Sequence, residues 1–225
     1  MIKLLIYDLD GTLIDSKRDI ANAVNWTLKE LGLKTLSVNQ ISSFVGNGVL
    51  HLMQSVLGEA SGGTKRSDFD LVLKRSVQLY RTRYANHLVD ETTLYPSVQE
   101  VLEHFKNFRQ AVITNKPEEF SREILKRLGI SAYFFRILGG DQGWAKKPAP
   151  EPVLDVVRSA GALPRETVLI GDSLIDIQTG KNARIKTVAV TYGFGSLKEI
   201  KEGQPDWILG HLSELIRCPL LAQSS

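Results

Sequence analysis

Cysteine is almost absent from this chain of 225 residues: Cys218 is the only one. One thiol excludes an internal disulfide and any metal site built on several cysteines. With proline beside it and no histidine near, it reads as inert, which suits a reducing compartment. Long hydrophobic runs are missing too. No stretch approaches the roughly 20 apolar residues of a membrane helix. The N-terminal apolar run meets Asp8 too early for a secretory signal of about 7–15 apolar residues. The expectation is therefore a soluble, cytoplasmic protein. Nor is there an excess of one charge, since the formal net charge is only +3. Lys181, Arg184, Lys186, Lys198 and Lys201 form the densest basic stretch, which reads as a solvated face. Nucleic acid and membrane partners are not expected.

Apolar residues make up 43% of the chain, enough for a packed core at this length. Short apolar runs recur, each ending in a small or polar residue: KLLIYD, QAVITN, RILGG, TVLIGD, KTVAVT and DWILG. Continuous Leu/Ile/Val runs suit strands covered on both faces, as in a parallel sheet. Helical patterns separate them at 97–108, at 117–128 with Pro117 opening and Gly129 closing, and at 152–160 closing at Gly161. Such alternation predicts a doubly wound parallel α/β sheet.

The alternation fails between about 15 and 90. There Ser16 can cap a helix bearing Ile20, Val24, Leu28 and Leu31 and closing at Gly32. Val49 to Leu57 and Phe69 to Leu88 form two more apolar helical stretches, and 58–65 (GEASGGTK) reads as a mobile linker. The expected organisation is an α/β core from 1–14 and 91–225 with a helical cap inserted at 15–90.

In open parallel sheets, ligands gather at the carboxyl ends of the strands. Those ends carry Asp8 and Asp10, Thr114 and Asn115, and Asp172 with Asp176 four residues on, while Lys147 precedes a helix. Each has a plain alternative: a turn or simple cation site for the Asp pair, helix capping for Thr114-Asn115 and Asp172/Asp176, a surface lysine for Lys147. Together they offer more. Neighbouring carboxylates stay ionised only around a cation, and hard oxygen ligands favour Mg²⁺. A hydroxyl, backbone amides and an ammonium suit phosphate oxygens.

Four motifs appear in order: Asp8-Leu9-Asp10-Gly11-Thr12, Thr114-Asn115, Lys147-Pro148 and Gly171-Asp172-Ser173-Leu174-Ile175-Asp176. In these the chain resembles the haloacid dehalogenase-superfamily phosphatases, over nearly its whole length. The resemblance implies a Rossmann-like core with an inserted cap, and Mg²⁺-dependent hydrolysis of a small phosphorylated metabolite. It implies Asp8 as nucleophile and Asp10 as general acid and base. Thr114, Asn115 and Lys147 would hold the phosphoryl group. Asp8, Asp10 (through its carbonyl) and Asp172 would hold the metal, with Asp176 ligating directly or bonding to a ligand.

Phe44-Val45-Gly46-Asn47-Gly48 and Thr191-Tyr192-Gly193-Phe194-Gly195 resemble segments of phosphoglycolate phosphatases. Gly46, Asn47 and Gly48 are thus either a substrate-carboxylate loop or a turn between helices. The implied substrate is 2-phosphoglycolate. A phosphosugar mutase and a non-catalytic phospho-metabolite sensor are the alternatives, and the assembly is expected to be a monomer or homodimer. Ser97 stands where relatives often carry glycine, and Arg184 where a helix-terminating glycine is common, at a cost of about 1 kcal/mol if Arg184 is left-handed.

Overall fold

The computed structural model describes residues 1–62 and 68–221. In chain order these form β1 (Leu4–Tyr7), β2 (Ile14–Asp15), α1 (Lys17–Glu30), α2 (Val38–Ser42), α3 (Val49–Ala60) and α4 (Phe69–Ala85). Then follow β3 (Thr93–Leu94), α5 (Val98–His104), β4 (Arg109–Ile113), α6 (Glu118–Arg127), β5 (Arg136–Leu138), α7 (Glu151–Ser159) and β6 (Thr167–Gly171). The chain continues with α8 (Leu174–Asn182), β7 (Lys186–Val190), α9 (Leu197–Gly203) and β8 (Trp207–Leu209). It divides into two compact units, one of Met1–Asp15 with Thr93–Ser225, the other of Ser16–Thr92.

The first unit holds a six-stranded parallel sheet in the order β5-β4-β1-β6-β7-β8. All six apolar runs of the sequence became its strands. β1 is central, with Leu4 to Tyr7 paired to Arg109 to Val112 on one side and to Thr167 to Ile170 on the other. Because the chain first builds outward through β4 and β5 and then returns to β6, the topology reverses at β1. That reversal opens a crevice at the carboxyl ends of β1, β4 and β6.

Leu4, Ile6, Ala111, Ile113 and Leu169 pack on one sheet face against Val153, Val156 and Val157 of α7. On β1 the alternate residue Tyr7 is equally buried, and its hydroxyl donates to Gln110 Oε1 at 3.1 Å. Gln110 in turn donates to the carbonyls of Leu102 and Phe105, so this buried polar pair is satisfied.

The second unit is helical, with α1 packed on α2, α3 and α4. α1 buries Ile20, Val24 and Leu28, and α3 buries Leu52, Met53, Val56 and Leu57. On α4 it is Tyr80 and Tyr84, ring-stacked at 5.4 Å, that turn inward. The unit's two chain ends are tied by Asp19, which accepts from the N–H groups of Glu91 and Thr92 and from the Thr92 hydroxyl at 2.7–3.0 Å. Among the described residues, no helix is long and apolar enough to cross a membrane.

Local details differ from the sequence reading. Ser16 precedes α1 but gives it no side-chain cap, its ψ of 8° lying outside the extended region a cap uses. Pro117 takes the N-cap rather than the first helical position of α6. Of the expected linker at 58–65, residues 58–60 continue α3, and 63–65 lie outside the described residues. Ser97 and Arg184 are left-handed at φ 65° and 56°, as their positions suggested.

Candidate active site

The six strand ends share one edge of the sheet because every pairing is parallel. β1 runs into Asp8 and Asp10, β4 into Thr114, Asn115 and Lys116, and β6 into Asp172. Lys147 arrives on the loop before α7. The N-cap of α8 fixes Asp176: Ser173 donates its hydroxyl and N–H to Asp176 Oδ2 at 2.6 and 3.2 Å and accepts weakly from the Asp176 N–H. A Cβ at Gly171 would overlap the Asp176 side chain, so the end of β6 must be glycine for this carboxylate to fold back over it.

Carboxylate oxygens of Asp8, Asp172 and Asp176 lie within 4.8 Å of one another. Asp172 and Asp176 are each 2% exposed, Asp8 9% and Lys147 4%, so little water screens them. The Lys147 ammonium sits between two members, 2.7 Å from Asp8 Oδ1 and 2.7 Å from Asp176 Oδ1. Toward Asp176 the contact is a hydrogen bond. Toward Asp8 it is an ion pair whose angles fall outside hydrogen-bond geometry, which leaves that buried oxygen without a donor.

Asp10 lies outside the three-carboxylate group. Its Oδ1 is 2.8 Å from the buried Lys116 ammonium. Asn115 exchanges two hydrogen bonds with the main chain of Lys147, at 2.9 and 3.1 Å, so its side chain holds the lysine loop in place. The Thr114 hydroxyl accepts from the Lys116 N–H at 3.2 Å. Gly46 and Gly48 belong to the helical unit, in the connection from α2 to α3. They have φ of 121° and 84°, and Gly48 is the N-cap of α3.

Burial dominates the electrostatics. It pushes Asp8 up to about 7 against the opposing pull of Lys147, with Asp176 and Asp172 adding to the rise. It likewise pushes Asp172 up to about 6, with Asp176 adding, while the N–H groups of Phe194 and Gly195 hold it down. For Lys147 burial acts downward, but the charges of Asp176 and Asp8 outweigh it and the ammonium is held firmly protonated.

A divalent cation fits these residues. Four carboxylates face two ammonium groups here, and the donorless Asp8 oxygen lies in the group. All the donors are hard oxygens, as Mg²⁺ prefers.

Sequence reasoning did not assign roles to Lys116, Thr12 or the segment 193–195. Lys116 directly follows Thr114-Asn115 at the same strand end, which was the available signal. Thr12 donates to Asp172 Oδ1 at 3.2 Å, a pairing across 160 residues that no local pattern reveals.

The family model for haloacid dehalogenase-like hydrolases matches residues 5–190. The chain is 37% identical over 218 residues to a phosphoglycolate phosphatase of Aquifex aeolicus, covering 96% of each. It is 38% identical to one of Colwellia psychrerythraea over 95% of each chain. The crystal structure of a predicted phosphoglycolate phosphatase from Haemophilus somnus superposes with a TM-score of 0.90 at 32% identity, over 96% of this chain and 97% of that one. The chain belongs to the haloacid dehalogenase-like hydrolases, as its sheet, helical insertion and acidic cluster already indicated.

Proposed function

We propose that this hydrolase releases phosphate from 2-phosphoglycolate, in a Mg²⁺-dependent reaction that passes through a phosphorylated Asp8. The observation that carries the reading is the group of Asp8, Asp172 and Asp176 with the Lys147 ammonium set between two of them. The substrate rests on the relatives, which are phosphoglycolate phosphatases.

Asp8, Asp172 and Asp176, with the Asp10 carbonyl, would hold the ion, which when bound neutralises phosphoryl charge. An Asp8 oxygen then bonds to phosphorus as the bond from phosphorus to the ester oxygen breaks, and Asp10 gives that oxygen its proton. A water next attacks the acyl phosphate while Asp10 takes up the water's proton, freeing inorganic phosphate and restoring Asp8. Lys116 keeps the Asp10 carboxylate aimed through both steps. Lys147 balances charge on Asp8 and the phosphoryl group, the Thr114 hydroxyl donates to a phosphoryl oxygen, and Asn115 serves the same site by fixing Lys147. In the helical unit, the N–H groups around Gly46, Asn47 and Gly48 receive the substrate carboxylate, a task that positive-φ glycines suit.

A panel of phosphorylated metabolites, assayed for phosphate release with and without chelator, tests the reading. The expected result is Mg²⁺-dependent release with 2-phosphoglycolate preferred. Activity without preference among small esters would remove the substrate assignment, and no release from any of them would remove the phosphatase chemistry as well.

A further inference from the structure

Asp172 is gripped on both oxygens by groups from two separate loops. Its Oδ2 accepts the N–H of Phe194 at 2.6 Å and that of Gly195 at 3.3 Å, while its Oδ1 accepts the Thr12 hydroxyl at 3.2 Å. The two loops are also joined to each other. The Tyr192 hydroxyl donates to the Thr12 carbonyl at 2.8 Å, and the Tyr192 ring lies 4.6 Å from that of Tyr95.

Glycines make room for this grip. A Cβ on Gly193 would overlap both the Asp172 side chain and the Gly11 carbonyl, and one on Gly195 would overlap the Asp172 carbonyl. Neither glycine has a positive φ, so space rather than backbone conformation demands glycine there. At Gly11, φ is 86° and a Cβ would also overlap the Asp172 carboxylate.

A carboxylate has about four lone-pair sites. Three donors occupy three of them, which fixes the plane of the group and leaves one direction for a further partner. We infer that the Tyr192–Gly195 turn, together with Thr12, positions the Asp172 carboxylate for the divalent cation. This rests on the cation reading proposed above. Divalent-ion affinity then depends on residues that never touch the ion, as outer hydrogen-bond partners of metal ligands commonly dictate.

The test is calorimetric titration of Mn²⁺ into metal-stripped protein: wild type, Asp172→Asn, Gly193→Ala, Thr12→Val and Thr12→Ser. Gly193→Ala and Thr12→Val should bind Mn²⁺ about 10–100-fold more weakly. Thr12→Ser, which keeps the hydroxyl, should bind close to wild type. Titrating both Thr12 variants at a temperature where metal-free melts show each fully folded separates positioning from general support of the fold. If Gly193→Ala does not fold, the Thr12 pair decides. Wild-type Mn²⁺ affinity in Thr12→Val, alongside loss of binding in Asp172→Asn, would overturn the inference. Unchanged binding in Asp172→Asn would remove the cation site itself, and the inference with it.

Discussion

Replacing Lys147 by methionine isolates the electrostatic knot of the site, because the side chains are similar in length and only the charge is lost. The ammonium lies 2.7 Å from a carboxylate oxygen of both Asp8 and Asp176 in a nearly dry setting. At an effective dielectric constant near 20, each contact is worth about 6 kcal/mol gross. Desolvation of the ammonium offsets much of that, and removing one partner of a buried pair costs about 3–5 kcal/mol net. The loss should depend on pH in a defined direction. With Lys147 present Asp8 is ionised above about 7, and losing the ammonium that holds it down raises it further, so the deficit grows as pH rises past about 7. Near pH 5 the folded protein carries Asp8 protonated, so the deficit shrinks. Urea unfolding of the metal-stripped wild type and Lys147→Met, followed by circular dichroism at pH 8 and pH 5, measures both quantities. A deficit below about 1 kcal/mol at pH 8, the range of exposed ion pairs, would refute the reasoning. So would a deficit that is equal at the two pH values.

The metal-free protein should itself lose stability as pH rises from about 4 to about 7: Asp8 and Asp172 hold protons in the fold, at about 7 and about 6, that the unfolded chain releases near the ordinary 3.8. Thermal melts across that range check the sign, with added Mg²⁺ expected to raise the melting temperature more at pH 8 than at pH 5. Arg184→Gly and Ser97→Gly should each stabilise by up to about 1 kcal/mol, since both positions are left-handed and the glycine's entropy cost offsets only part of the relief. Denaturant midpoints read that directly, and destabilisation by either change would argue against it. Asp19→Ala should destabilise the helical unit by about 2–3 kcal/mol by removing charge-assisted bonds to Glu91 and Thr92. Hydrogen exchange at α1 and α4 should accelerate, and unchanged protection there would show that the clasp carries no load.

All six sheet strands were legible as short apolar runs: β1 and β6 are buried along their whole length, the pattern of a strand covered on both faces, while edge strand β8 showed by its apolar residues although Trp207 and Ile208 are exposed. Helix α2 was not, since only Ile41 and Ser42 of its five residues are buried and no period can show. Its signal was local, in Ser37 and Gln40, which form a capping box. Helix α8 buries Asp176, Thr179 and Gly180 beside Ile177, so it shows little apolar stripe. The β2–β3 pair, two residues each, is too short to read.

At the site, the strand-end rule was enough to find Asp8, Thr114 and Asp172. It could not find the partnerships of Lys116 with Asp10 or Asn115 with Lys147. Those join residues 106 and 32 positions apart, and strand order, not local pattern, brings them together.

The most direct measurement is to mix enzyme with 2-phosphoglycolate and Mg²⁺, quench rapidly in acid, and map the phosphorylated peptide by mass spectrometry. The account predicts transient phosphate on Asp8, absent from Asp8→Asn, whose turnover is abolished. Turnover near the native rate in Asp8→Asn, with no phosphoenzyme in either protein, would contradict it.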